Sequence, residues 1–444
     1  MSSRRQFIRH LSKMGMAAAS APLWSSEICS RAFGQIANSY KAIVIVTLRG
    51  GNDGNNMIIP LDNTEYKQYA TLRGSIAIPQ SRCLPLKSPS GSPSFGLHPA
   101  LINTASLYNG GNALVVANAG PLISPLTKVQ LSASPDSMPQ SLLSHPAGVA
   151  QWESASTLAL PATGWGGRIA DLVASQSGSL PPVFDVGPAS IFTVGRSVQA
   201  IALASKGSTS LTAVPVGLQA AILAIAGNDA ISDNALVAQT AQLRVQSMNQ
   251  QALITQAQTS GANLQTAFPN TTFGRQMQAV AALINGRSVI GASRQIFYTQ
   301  QGNYDTHTNQ LELHADALTE LDGGIGAFVQ ALQEMGLQND VLVCTHSDFN
   351  RTFIANTTVG TDHAWGNHQI IVGHGIKGGR IIGTMPDLEL GGSCDFNGYG
   401  TWIPTLSVTQ MTAGIGSWLG LSNAQLAGVF PDLANFSQGA ISLS

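Results

Sequence analysis

Apolar runs that end in polar, glycine-rich or acidic loops recur along the chain. "AIVIVTL" runs into "RGGNDGNN", "ALVVANAG" follows a glycine stop, "ASRQIFYTQQ" leads into "GNYDTH", and "DVLVCT" leads into "HSDF". Continuous apolar runs of this length predict strands buried on both faces. Between them, "HPALINTASLYNGG" has helical spacing with a glycine stop, and Asn309 to Met335 reads as a longer helix ending before Gly336. The alternation predicts an α/β fold whose strands deliver polar loops to one sheet edge, where open sheets bind ligands. From about 208 to 268 the chain turns Ala/Gln-rich with helical periodicity and few catalytic side chains, which predicts an inserted helical subdomain.

Composition narrows the partners. Only 10% of the 444 residues are charged and the formal net charge is -1, so nucleic acid is excluded as an electrostatic partner. Residues 1–34 carry Arg4 and Arg5 ahead of Phe7, the short apolar run "MGMAAASAPLW", and the small residues Ala32 and Gly34. This is a twin-arginine signal segment, with the translocase as a transient partner and a periplasmic or secreted destination. Its apolar run is too short to span a bilayer, and no transmembrane segment is expected in the mature chain. Cleavage near Gly34 leaves the domain 35–444 with Cys83, Cys344 and Cys394, so at most one disulfide can form within a monomer. Cys344, in "VLVCT", reads as a buried small hydrophobe.

The candidate chemistry follows the strands. Asp53 lies after the first, Ser144 and His145 in "SLLSHPAG", Asp305 and His307 in "NYDTHTNQ", Asp348 and Arg351 in "HSDFNRT", and His363 and His368 in "TDHAWGNH". Carboxylates and imidazoles collected at one sheet edge suit a divalent metal, the acids supplying hard oxygen and the histidines borderline nitrogen. Each also has a structural reading. Asp53 between glycines is equally well a turn acid bonded to nearby N–H groups, and His145, ahead of Pro146, a helix neighbour. His314 and His374 read as packing or surface histidines, and Trp152, Trp165 and Trp365 as core. The glycines of "GHGIKGGRIIG" lack phosphate-loop spacing.

Together "LRGGNDGNNMIIPLD", "SLLSHPAGVAQWES", "TGWGGRIAD", "YDTHTNQ", "HSDFNRT" and "GTDHAWGNHQIIVGHGIKGGRIIG" resemble the domain of unknown function 1501 family, from Lys41 to the end. That family looks like a distant branch of the alkaline phosphatase and sulfatase superfamily. The resemblance implies an alkaline-phosphatase-like α/β/α sandwich with a helical insertion and a metal site at the carboxyl edge of the sheet. It implies Asp53, Asp305, His307, Asp348 and His363 as metal ligands, Ser144 as nucleophile beside His145, and Arg351 as partner of an oxyanion. On this reading the glycines of the first loop allow close approach to the metal, and the amides bond its oxyanion. Asn309 and Phe349 stand where the hydrolases carry histidine, which favours one metal over two. The expected function is metal-dependent hydrolysis of phosphate or sulfate esters, on a small-molecule or envelope-polymer substrate. The alternative is a non-catalytic envelope binding, export or assembly protein that keeps the hydrolase fold.

Overall fold

The computed structural model describes residues 39–88, 95–203, 216–229 and 234–444; the expected twin-arginine segment lies outside them. Nine strands form one sheet: β1 (Lys41–Leu48), β2 (Ala113–Gly120), β3 (Val183–Asp185), β4 (Ile201–Ala202), β5 (Arg294–Gln301), β6 (Val341–Ser347), β7 (Asn367–Val372), β8 (Ile381–Ile382) and β9 (Leu406–Ser407). β1 is central and runs parallel to β5 on one side and β6 on the other. Beyond β5 come β3 and β4, also parallel. β7 is antiparallel between β6 and β2, and β8 and β9 run along the outer edge of β2.

The strand alternation explains the layering. Ala42, Val44 and Val46 of β1 face one apolar cluster, and Ile43 and Ile45 face another. On the first face lie α3 (Ile102–Asn109), α8 (Thr272–Asn285) and α9 (Gln310–Glu334), numbered in a helix series that begins with α1 (Gly54–Met57) and α2 (Asn63–Arg73). On the second lie α4 (His145–Ser154), α5 (Trp165–Val173) and α10 (Val408–Leu419). Leu318, Leu321, Ile325, Phe328 and Leu332 put one stripe of α9 into the core at spacings of three and four. The result is an α/β/α arrangement. Trp152 and Trp165 are buried in the second cluster, and Trp365 packs in a smaller one.

Two boundaries differ from the sequence expectation. α3 begins at Ile102, because His98 to Leu101 form a turn with the His98 carbonyl accepting the Leu101 N–H. α9 begins one residue later than expected, with Asn309 left-handed ahead of it. Within the Ala/Gln-rich stretch the described elements are α6 (Val216–Asp229) and α7 (Ala235–Gly261), and Ile254 and Ala257 of α7 join the first core cluster. Cys83, Cys344 and Cys394 are free thiols, Cys344 fully buried in β6. Among the described residues no helix is long and apolar enough to cross a membrane.

Candidate metal centre

Because β5, β1 and β6 are adjacent and parallel, their following loops meet at one edge. Gly50 and Gly51 have φ of +113° and +86°. A Cβ on Gly50 would lie 2.5 Å from the Asp305 amide nitrogen, and one on Gly51 would lie 2.4 Å from the Phe349 ring. The two glycines are therefore required by close approach of neighbouring chain. The amides that follow are used internally: Asn55 bonds the Arg351 carbonyl and the Trp402 indole, and Asn56 bonds Tyr69, Arg73 and the Ile76 carbonyl.

Asp305 stands at the centre of the edge, its side chain 47% exposed. Three imidazoles surround it. His145 Nε2 lies 3.6 Å from Oδ2, His307 Nε2 3.1 Å from Oδ1, and His363 Nε2 3.7 Å from Oδ1. Each ring has its other nitrogen held by an acceptor: His145 Nδ1 by Asp348 at 2.7 Å, His307 Nδ1 by Asp362 at 3.0 Å, and His363 Nδ1 by the Leu143 carbonyl at 2.9 Å. An oxygen acceptor at Nδ1 fixes the proton there in the neutral ring and leaves the lone pair on Nε2. Three such lone pairs thus converge on one carboxylate. His307 Nε2 and His363 Nε2 are 3.1 Å apart, so lone pair faces lone pair unless a cation or proton lies between them.

Electrostatics favour a neutral His363 and a charged Asp305. Burial pushes His363 below the usual imidazole range, and Arg351, His145 and His307 push the same way against the Leu143 hydrogen bond. At Asp305 partial burial works to raise the carboxyl, but the hydrogen bond and charge of Arg351, with His307 and His145, outweigh it and hold it below the ordinary value. His145, Asp305 and His363 each offer a ligand atom, all within 4.8 Å of one another. Imidazole nitrogen with one carboxylate is a donor set that fits zinc and similar divalent ions.

The remaining sequence candidates take other places. Asp348 is buried against the Gly50 N–H and His145, with Oδ1 unpartnered. Asp53 is fully buried away from this cluster, capping α1 at the Asn55 and Asn56 N–H groups, ion-paired with Arg73 and bonded by Gln310 at 2.7 Å. Arg351 is also buried, its guanidinium bonded to the carbonyls of Gly50, Gly51, Tyr304 and Thr361 and to Asp305. Burial lowers its pKa against the pull of Asp305. Ser144 is the N-cap position of α4 without a side-chain cap bond, reached through a turn in which Ser141 and Leu143 both have positive φ. Phe349 packs its ring 4.3 Å from that of His363 and 4.7 Å from that of His145, forming a floor under both. Asn309 points to Glu312 at the surface, and His368 lies in the interior.

Sequence reasoning passed over Asp362 and the Leu143 carbonyl, which orient two of the rings, and Arg73 and Gln310, which hold Asp53. Asp362 was visible as the neighbour of His363, whereas Arg73 sits twenty residues from Asp53 with no local signal. Arg49 was also missed. Unlike Arg351, it makes no side-chain hydrogen bond among the described residues, and its charge acts on Glu153, Tyr298 and His346.

These features define an α/β protein with an imidazole–carboxylate cluster at the carboxyl edge of its central strands. The chain belongs to the family described as protein of unknown function (DUF1501), which matches residues 40–394. No curated protein matches the sequence. Among solved structures it is similar to the PsFucS1 sulfatase from Pseudoalteromonas sp., at 12% identity and a TM-score of 0.32 over 79% of this chain; the match spans 65% of that sulfatase. It is also similar to the C-terminal periplasmic domain of EcEptC from Escherichia coli in complex with Zn, at 7% identity and a TM-score of 0.34 over 77% of this chain and 76% of that one. A third is the phosphonate monoester hydrolase SpPMH from Silicibacter pomeroyi, at 9% identity and a TM-score of 0.34 over 86% and 74%.

Proposed function

We propose that this protein is exported by the twin-arginine route and hydrolyses phosphate or sulfate esters at a single-metal centre held by His145, Asp305 and His363. The observation that carries the reading is the set of three imidazoles whose Nδ1 atoms are anchored and whose Nε2 atoms converge on Asp305. A divalent ion held there would act as a Lewis acid on an ester oxygen. The chain's own residues do the positioning. Asp348 sets the ring of His145, the Leu143 carbonyl sets that of His363, and Arg351 fixes Asp305. His307 touches two of the three ligands and completes the set or relays a proton. Ser144, whose hydroxyl is not spent on its helix, is assigned as the nucleophile, and Arg351, consumed by carbonyls and Asp305, holds the site rather than an oxyanion. In this reading Asp53 holds the fold of the first loop, since its carboxylate is already neutralised by Arg73 and accepts a hydrogen bond from Gln310.

The test is metal content by mass spectrometry on the exported protein, beside His363→Ala, followed by turnover of 4-nitrophenyl phosphate and 4-nitrophenyl sulfate. One equivalent of metal, lost in the variant together with turnover, supports the centre. Folded wild-type protein that takes up no zinc, manganese or calcium overturns it.

A second reading is a non-catalytic envelope protein that uses the site to hold a polymer or partner. It is favoured by Arg351, whose guanidinium is consumed by carbonyls and Asp305 and so leaves none for an ester. Saturable binding of an envelope glycan by metal-loaded protein that turns over neither ester would select it.

A further inference from the structure

A separate cavity of about 490 Å³ opens between α2, β8 and the segment that follows β8. Its walls include Ile58, Tyr108, Phe353 and Met385, so most of its interior offers only apolar contact. Two buried polar side chains break that surface, Asn55, whose amide is bonded to the Arg351 carbonyl and the Trp402 indole, and His368. His368 lines the cavity and is itself only 1% exposed. Its Nδ1 accepts the Asn118 N–H at 3.0 Å, which places the ring proton of the neutral form on Nε2. Burial drives the group down to about 4, against a smaller pull from Asp53, so the ring is neutral at pH 7. Among the described residues Nε2–H has no acceptor. Nε2–H is thus the one ring atom left free for an accepting atom in the cavity, and a neutral hydrogen bond there orients a ligand more than it binds it.

The rim decides the charge of the ligand. Glu65 and Asp387 outnumber Lys87 there, so the mouth carries a net negative charge and disfavours an anion. The volume falls in the range of small-molecule sites, which are mostly apolar with few placed polar groups.

We infer that this cavity binds an uncharged apolar ligand through a single accepting oxygen, a ketone or ester carbonyl set against His368 Nε2–H. The site is distinct from the imidazole cluster: no hydrogen bond joins its lining residues to Asp305, His145 or His363, and Asn55 reaches that cluster only through the Arg351 carbonyl. The ligand's remaining atoms gain affinity from apolar contact, and His368 fixes its orientation.

Prodan, a neutral naphthyl ketone whose emission shifts to the blue in dry surroundings, is a suitable probe. Fluorescence titration of the full exported chain should give saturable one-to-one binding with a blue shift. Thr384→Trp, an exposed lining position, should abolish it by filling the mouth without disturbing the core. His368→Phe keeps a ring of similar shape and should weaken binding about tenfold, the loss expected for one hydrogen bond. It also strands the Asn118 N–H, so circular dichroism first establishes that the variant folds. Absence of saturable binding to wild type overturns the proposal, as does unchanged binding in Thr384→Trp. Full binding in a folded His368→Phe overturns the role of the donor.

Discussion

Asp53 and Asp305 each follow a central strand of one sheet, each in a loop rich in glycine and amides, yet they have opposite surroundings. Asp53 is fully buried and meets a guanidinium, an amide and two backbone N–H groups, all of them donors. Asp305 is half-exposed and meets one guanidinium and three imidazoles with their protons held elsewhere. A carboxylate whose lone pairs are already filled by donors stabilises a fold. A carboxylate ringed by other lone pairs is short of positive charge, and that shortage is what the proposed metal would relieve. The distinction lies in the partners rather than in the acid.

The sharpest way to break this comparison is to remove each acid in turn. Asp53→Ala leaves Arg73 buried without a counter-charge, and the expected cost is about 3–5 kcal/mol of stability. Urea unfolding measures the loss, and the folded fraction should keep its metal. Metal lost from folded Asp53→Ala protein would return Asp53 to the site. The next effect separates core histidines from those of the cluster. Burial pushes His98, His314 and His346 down to about 3 and His368 to about 4. These are bases with folded pKa values below the unfolded value, so on acidification the unfolded chain binds protons first. Stability should therefore fall as pH drops below about 6.5, by about 1 kcal/mol per histidine per pH unit, until the folded values are reached. The urea midpoint between pH 7.5 and 5.0 reads this directly; a flat profile would mean that the buried rings titrate normally.

Much of this was legible in the sequence for a physical reason. Strands buried on both faces write long apolar runs, so β1, β2, β5 and β6 were visible, and the parallel order of β5, β1 and β6 puts Asp305 and Asp348 at one edge, where His363 arrives ahead of antiparallel β7. The orientation of His307 and His363 was not, because it depends on Asp362 and the Leu143 carbonyl across 55 and 220 residues of chain. Nor was the pairing of Asp53 with Arg73, since nothing local marks an arginine at the end of α2 as its partner. The glycines of the opening loop drew attention to an ion, whereas the close approach they permit is to Asp305 and Phe349.

Two smaller effects refine the account of the cluster. Asp348→Asn keeps the shape but weakens the acceptor that fixes His145, and metal affinity should fall about 10–100-fold while stoichiometry at saturation stays the same. Competition with a chelator of known affinity measures the shift; unchanged affinity would show that His145 needs no orienting partner. The smallest expected effect concerns Asn309, which stands where a histidine ligand would be expected from the family resemblance. Its side chain bonds Glu312 at the surface, and its backbone is left-handed at φ +48°, a conformation that asparagine tolerates better than alanine. Asn309→Ala should thus cost about 1 kcal/mol through the backbone and leave metal affinity untouched, whereas Asn309→Gly should be nearly neutral in both. Chelator competition on the two variants isolates the side chain from the backbone. If both lost metal alike, the Asn309 amide would belong to the centre and the ligand set would extend to the start of α9.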